Sequence, residues 1–225
     1  MDKREKMVAV IRKEYGLNAP RVLAIMLQVP REKFVSKIYR SIAYDDGPVP
    51  IGYNQTMSQP YTVAFMTHLL LDLEDTTSPK ASRGKSVLEV GTGSGYQAAV
   101  LSGLFAKVYS IEIVPALAKK AKLRLKKLGY KNVEVRQGSG EYGWRKKAPF
   151  DAIVVTAGIK NKVPGLLFEQ LKEGGVLVAP IGVGHDKVMT KFTKEKAAGP
   201  EAFGPEGKTK RQEFGIFSFV PFIEE

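Results

Sequence analysis

The sequence predicts an α/β fold: a mostly parallel, seven-stranded, doubly wound sheet with an N-terminal helical appendage. Three observations carry that expectation. Val87–Gly95 (VLEVGTGSG) runs strand formers into three glycines, and an apolar helical stretch follows at once. From Ser86 onward strand and helix patterns alternate, which builds βαβ units and a parallel sheet covered on both faces. Ahead of it a polar connector, Glu74–Lys85, marks a boundary, so residues 1–84 read as the appendage and 85–225 as the core.

Within the appendage, Met7, Val10, Ile11 and Tyr15 recur at helical spacing, so Asp2–Tyr15 reads as an amphipathic helix closed by Gly16 and Asn18. Pro20 starts a second helix, Arg21–Gln28. Ala43–Met57 carries Gly47, Pro48, Pro50, Gly52 and Asn54 and reads as irregular. Its length points to a functional loop, and its aromatic and apolar residues argue against disorder. Ser58 before Gln59-Pro60 reads as the N-cap of a helix running to about Leu73.

In the core, strands are expected at Ser86–Val90, Lys107–Ile113, Asn132–Arg136, Asp151–Thr156 and Gly175–Pro180. Helices are expected at Ser94–Leu104, Pro115–Leu128 and Pro164–Leu171. Gly184–Thr193 and Arg211–Val220 supply two more strands, joined by an exposed loop, Lys194–Lys210.

Composition narrows the function. No apolar run approaches the roughly 20 residues of a membrane span, and no signal peptide is evident. There is no cysteine, hence no disulfide, thiolate metal site or cysteine nucleophile, which suits the cytoplasm. Two isolated histidines, His68 and His185, make no metal site. The formal net charge is +12, with eleven Lys/Arg against two acids between Lys119 and Lys147. A solvated helix face explains that run, and no nucleic-acid motif accompanies it, so nucleic acid is not the expected partner. The charge could steer acidic substrates toward the protein.

The turn selects the cofactor. Its spacing is G-x-G-x-G, not the G-x-G-x-x-G of dinucleotide sites, which suits a cofactor without phosphate. This form is typical of the S-adenosylmethionine turn, with Gly91, Gly93 and Ser94 against the ligand. Glu112, 17 residues past Gly95, ends the second strand, where a carboxylate can accept from both ribose hydroxyls. Gln137-Gly138-Ser139-Gly140 follows the third strand and suits close approach to an adenine edge, through Ser139 and Gly140. Glu89, an acid inside a strand, is expected beneath the cofactor's amino group. These positions define a Rossmann-like, S-adenosylmethionine-dependent methyltransferase fold.

Further segments carry a closer likeness: Val29-Pro30-Arg31-Glu32-Lys33-Phe34-Val35, Pro50-Ile51-Gly52, Gln55-Thr56-Met57-Ser58-Gln59-Pro60-Tyr61, Ala148–Ala157, Glu169–Gly175 and Phe219-Val220-Pro221-Phe222. With them the chain resembles the protein-L-isoaspartate O-methyltransferase family. The resemblance covers roughly residues 18–185 and the last ten, and Thr56–Tyr61 is its most specific motif. It implies methyl transfer from S-adenosylmethionine to the α-carboxylate of L-isoaspartyl residues in damaged proteins and peptides. It also implies Ser58 in the active site, and Thr56, Gln59, Pro60, Tyr61 and Val220 along the peptide groove. Val220 and its neighbours would pair with the substrate backbone as an added strand. The family usually shows G-D-G where this chain has Gly138-Ser139-Gly140, so Ser139 replaces a stronger acceptor. The alternative is a methyltransferase acting on RNA or a small molecule. A monomer is expected.

Overall fold

The computed structural model describes residues 2–71, 84–195 and 209–223. The connector at Glu74–Lys85 and the loop at Lys194–Lys210 lie almost wholly outside the described residues.

The appendage opens with α1 (Lys3–Lys13), whose N-terminus is closed by a capping box between Asp2 and Glu5. Met7, Val8 and Ile11 form its buried face. α2 (Pro20–Gln28) starts on its proline and buries Val22, Leu23 and Met26. Two 3-10 segments, Arg31–Phe34 and Lys37–Ile42, follow.

The next stretch is not irregular as expected. It folds as a hairpin of β1 (Val49–Gly52) and β2 (Gln55–Met57). Tyr53 and Asn54 form its tip, with φ of 57° and 56°. Such a turn normally takes Asn-Gly, so Tyr-Asn, together with Pro50 inside the first strand, hides the hairpin from pattern reading.

α3 (Pro60–Leu70) begins one residue later than Ser58 implied. Its N-cap is Gln59, and no side chain caps it, so Ser58 does not serve as a helix cap.

Among the described residues seven strands form one sheet, in the order β5-β4-β3-β6-β7-β8-β9. They are β3 (Ser86–Val90), β4 (Lys107–Glu112), β5 (Val133–Gln137), β6 (Phe150–Val155), β7 (Leu171–Ile181), β8 (Asp186–Lys194) and β9 (Thr209–Ser218). Neighbours from β5 through β7 run parallel, and β8 is antiparallel to both of its neighbours. β7 starts earlier than expected because a register shift pairs Leu171 with Phe150 before Val176 pairs with Ala152.

Helices α4 (Tyr96–Ser102), α5 (Pro115–Lys127) and α6 (Gly165–Glu169) connect the parallel strands. Side-chain alternation divides the core. Val87, Val108, Val154 and Val178 join one cluster with α1–α4, while Leu88, Val90, Ile153 and Leu177 join the other with Trp144 and Phe168. The appendage therefore shares its hydrophobic cluster with one face of the sheet. This doubly wound arrangement sets the carboxyl ends of β3, β4 and β6 side by side, where ligands bind in such sheets.

Candidate active site

At those carboxyl ends lies a cleft lined by Val90–Ser94, Ile111–Ile113, Thr156, Ala157 and Gly140, with the β2 end, Gln55–Ser58, on one rim. The last residues of the chain form the other rim. Gly158 N–H donates to the Val220 carbonyl at 2.7 Å, and Phe222 N–H donates to the Gly158 carbonyl at 3.0 Å, which folds Val220–Ile223 over the turn.

The glycine turn can take its path only without side chains at key points. Gly91 has φ +102°, and a Cβ there would lie 2.4 Å from Thr156 Oγ1. A Cβ on Gly140 would meet Val90 Cγ1 at 2.2 Å. Thr156 Oγ1 donates to the Gly91 carbonyl at 2.6 Å, tying β6 to the turn. Arg124 Nη1 donates to the Ser94 carbonyl at 2.6 Å. This arginine belongs to the basic run read as a solvated face; Lys119, Lys120, Lys122, Lys126 and Lys127 do lie exposed.

Glu112 is almost fully buried and lines the cleft. Its Oε2 accepts from Gly93 N–H at 2.6 Å and its Oε1 from Val114 N–H at 2.9 Å. Each oxygen keeps a second lone pair for a ligand hydroxyl. Ser139 does not line the cleft, but its buried Oγ has no hydrogen-bond partner, an acceptor and donor left over beside Gly140. An orphaned hydroxyl, a side-chain-free cradle and a paired carboxylate together fit a nucleoside cofactor.

Glu89 departs from its expected place. It does not line the cleft; its register partner is Ser110 on β4, and the carboxyl sits on the sheet face behind the turn. Ser110 Oγ donates to Glu89 Oε2, and Ser110 Oγ contacts Thr92 Oγ1 at 2.5 Å, so Glu89 supports the turn through Ser110. Complete burial is the main reason its carboxyl is pushed up to about 8, with the Glu112 charge adding to it and the Ser110 hydrogen bond opposing it. Burial thus favours the neutral form over the carboxylate. A carboxyl raised in the folded state stabilises fully below its ordinary range, and that stability is lost as pH rises toward and through about 8. Glu89→Gln mimics the neutral form, so its melting temperature should fall less between pH 6 and 9 than that of the wild type. Parallel pH-melting curves would count against this role.

Beside the cleft lies an open groove, lined by Tyr15, Pro48, Gln59, Tyr61, Thr62 and Ile216–Phe219. Thr56, Ser58, Thr156 and Val220 line both cavities, so the two meet there. Of the expected groove residues, Thr56, Gln59, Tyr61 and Val220 line it, while buried Pro60 lies outside both cavities and opens α3. The Val220 carbonyl already accepts from Gly158 N–H, which fixes Val220 at the junction of the two cavities. The strand that stands at the sheet edge is β9.

Residues that sequence reasoning missed hold this junction in place. Arg31 is fully buried, and its charge has burial against it, which lowers its affinity for a proton. Its Nε donates to the Ala43 carbonyl and its Nη2 to the Ser58 carbonyl, both at 2.6 Å. One guanidinium thus ties both ends of the segment that carries the hairpin, and it lies 4.6 Å from the Tyr96 ring centre. The signal available was an arginine flanked by the apolar residues Val29, Pro30, Phe34 and Val35. Phe222 and Gln97 also line the cleft. Gln97 Nε2 donates to Thr67 Oγ1 at 2.8 Å and joins α4 to α3.

Other side chains have structural explanations. Trp144 is buried against Tyr109, under the Arg136 guanidinium. Asp151 accepts from Ser86 N–H and from Lys172 Nζ, joining β6 to β3 and β7. Among the described residues no His/Asp/Glu cluster could hold a metal ion.

Comparison with known proteins gives a consistent picture. The family model described as protein-L-isoaspartate(D-aspartate) O-methyltransferase matches residues 2–203. A protein-L-isoaspartate O-methyltransferase of Opitutus terrae is 45% identical over 224 residues, covering 100% of this chain and 88% of the relative. One of Gloeobacter violaceus is 45% identical over 211 residues, covering 93% of each. A solved protein-L-isoaspartate O-methyltransferase superposes with a TM-score of 0.79 at 29% identity, covering 97% of this chain; the chain spans 65% of that structure. A candidate protein-L-isoaspartate O-methyltransferase of Plasmodium falciparum, in complex with S-adenosyl-L-homocysteine, shares the fold, with a TM-score of 0.79, 21% identity and full coverage of both chains.

Proposed function

The chain belongs to the protein-L-isoaspartate O-methyltransferase family, and from that membership we propose how its residues divide the work. It is a carboxyl methyltransferase that uses S-adenosylmethionine and acts on L-isoaspartyl residues of damaged proteins. The observation that carries the assignment of roles is the meeting of a nucleoside-type cleft and a peptide-sized groove at Ser58 and Thr156.

S-adenosylmethionine supplies a methyl group carried on a sulfonium. The chain's own residues bind and orient. Gly91, Gly93, Ser94 and Gly140 give the cofactor close backbone approach, Glu112 accepts from its ribose hydroxyls, and Ser139 Oγ turns to its base. Glu89 acts from behind the turn. The substrate α-carboxylate, with an ordinary pKa of roughly 3.5, is ionised at pH 7 and needs no general base. Ser58 Oγ is the donor we assign to one oxygen of that carboxylate, and Thr56, Gln59 and Tyr61 line its approach. Pro60 sets the start of α3 behind them. Val220 and Phe222 close the cleft against water. Alignment of this kind contributes up to about 7–11 kcal/mol when geometry is good.

Residues 1–84 carry the substrate-side Thr56–Tyr61 segment, and 85–225 form the cofactor-binding core together with the C-terminal substrate strand. We place the protein in the cytoplasm, with which the lack of cysteine is compatible, and read it as a monomer. Among the described residues no helix is long and apolar enough to cross a membrane.

The test uses two peptides that differ only in isoaspartate or aspartate at one position, with methyl-labelled cofactor. Base-labile label should enter the isoaspartyl peptide alone. Equal labelling of both, or none in either, contradicts the assignment.

A further inference from the structure

The groove has a wall that methyl transfer to a carboxylate does not itself require. Tyr15, just beyond the end of α1, stacks on Tyr61 at 4.0 Å between ring centres, with planes 11° apart. Tyr61 stacks in turn on Phe217 of β9 at 5.8 Å and 18°. Three near-parallel rings, brought from residues 15, 61 and 217, line one open groove of about 320 Å³.

The outermost ring is held. Tyr15 Oη donates to Asp46 Oδ2 at 2.6 Å and accepts from Gln59 Nε2 at 2.8 Å. Gln59 Nε2 also lies 2.9 Å from Asp46 Oδ1. That hydrogen bond to Asp46 holds the phenolic proton and raises the Tyr15 pKa. The phenol's polar edge is therefore satisfied, and both Asp46 oxygens are engaged. Among the described residues no lysine or arginine lines the groove, although the chain carries a net charge of +12. The wall offers apolar area and no cation.

We propose that the Tyr15–Tyr61–Phe217 stack is a subsite for an apolar or aromatic side chain adjoining the isoaspartyl residue, so that the enzyme selects damaged sites by their neighbour. The inference rests on the reading of the groove as the peptide site. Continuity supports it: Ser58 lines this groove and the cofactor cleft alike, so a peptide whose carboxylate reaches Ser58 lays a neighbouring side chain on the rings. Ring–ring contact and burial of apolar area favour such a side chain, whereas an acidic one finds no cation among the described lining residues.

The experiment measures kcat/KM for a series of isoaspartyl peptides in which each residue flanking the isoaspartate is in turn Phe, Leu, Gly, Lys or Glu. At one flank Phe and Leu should exceed Gly and Glu by about tenfold, the ratio expected from burying roughly half of such a side chain. Tyr15→Ala should narrow that ratio to below about threefold, and Tyr15→Phe, which keeps the ring, should preserve most of it. Equal rates across the series, with labelling intact, overturn the subsite and leave the activity standing. A preference for Glu overturns it in favour of steering by net charge. Cofactor binding without labelling of any isoaspartyl peptide contradicts the reading of the groove and removes the inference with it.

Discussion

Gly91→Ala is expected to weaken cofactor binding by at least about 30-fold. Two penalties act at one atom. The backbone at φ +102° is one that L side chains rarely adopt, at a cost of about 1–3 kcal/mol. The new Cβ, 2.4 Å from Thr156 Oγ1, must also displace a side chain that donates to the Val90 and Gly91 carbonyls. Overpacking of this kind costs about 1–3 kcal/mol more. Relief by moving the turn shifts Gly93 as well, whose N–H is held by Glu112. Calorimetric titration with S-adenosylhomocysteine reads the effect directly. Adding Thr156→Ala should recover part of the loss, since it removes the clash and leaves the strain. Binding within threefold of the wild type would contradict this account of the turn.

Arg31→Met is expected to lower turnover on isoaspartyl peptide by at least about thirtyfold and to destabilise the fold by about 2 kcal/mol. Charge-assisted hydrogen bonds contribute about 1.5–3 kcal/mol each, and two are lost here, leaving the Ala43 and Ser58 carbonyls without this donor. Removing a buried guanidinium that has no ion pair among the described residues offsets part of that cost. A net loss of this size lowers the melting temperature by roughly 4–8 °C for a chain of this length. The kinetic loss arises because the freed carbonyl belongs to Ser58, at the junction of the two cavities. Arg31→Lys keeps the charge without the fork that reaches both carbonyls, so it should behave like the methionine variant. Full turnover in either would show that the tie does not position Ser58.

The cofactor half of the site was legible because it is local. A strand, a glycine turn and an acid at the end of the next strand lie within 26 residues, Val87 to Glu112, and their spacing reflects backbone geometry directly. Glu89 is harder to place from the same motif. Its place in the motif is near the turn, but strand alternation sends its side chain to the sheet face, where Ser110 is its register partner. The peptide half was legible only where a motif marked it. Tyr15, Arg31 and Phe217 reach the groove or its rim from distant parts of the chain through tertiary packing, and no period or spacing announces that. The hairpin at Val49–Met57 was hidden by local chemistry, since its turn takes positive φ at Tyr53 and Asn54 without a glycine. The loop expected at Lys194–Lys210 falls almost wholly outside the described residues.

The central claim is that cofactor cleft and peptide groove meet at Ser58, and that its hydroxyl serves the peptide carboxylate and not the cofactor. Ser58→Ala separates the two most directly. Titration should give an S-adenosylhomocysteine Kd within threefold of the wild type, while kcat/KM for an isoaspartyl peptide falls by about 10–100-fold, the loss of one hydrogen bond to a charged group. Unchanged kcat/KM, or a Kd weakened as much as turnover, would contradict it.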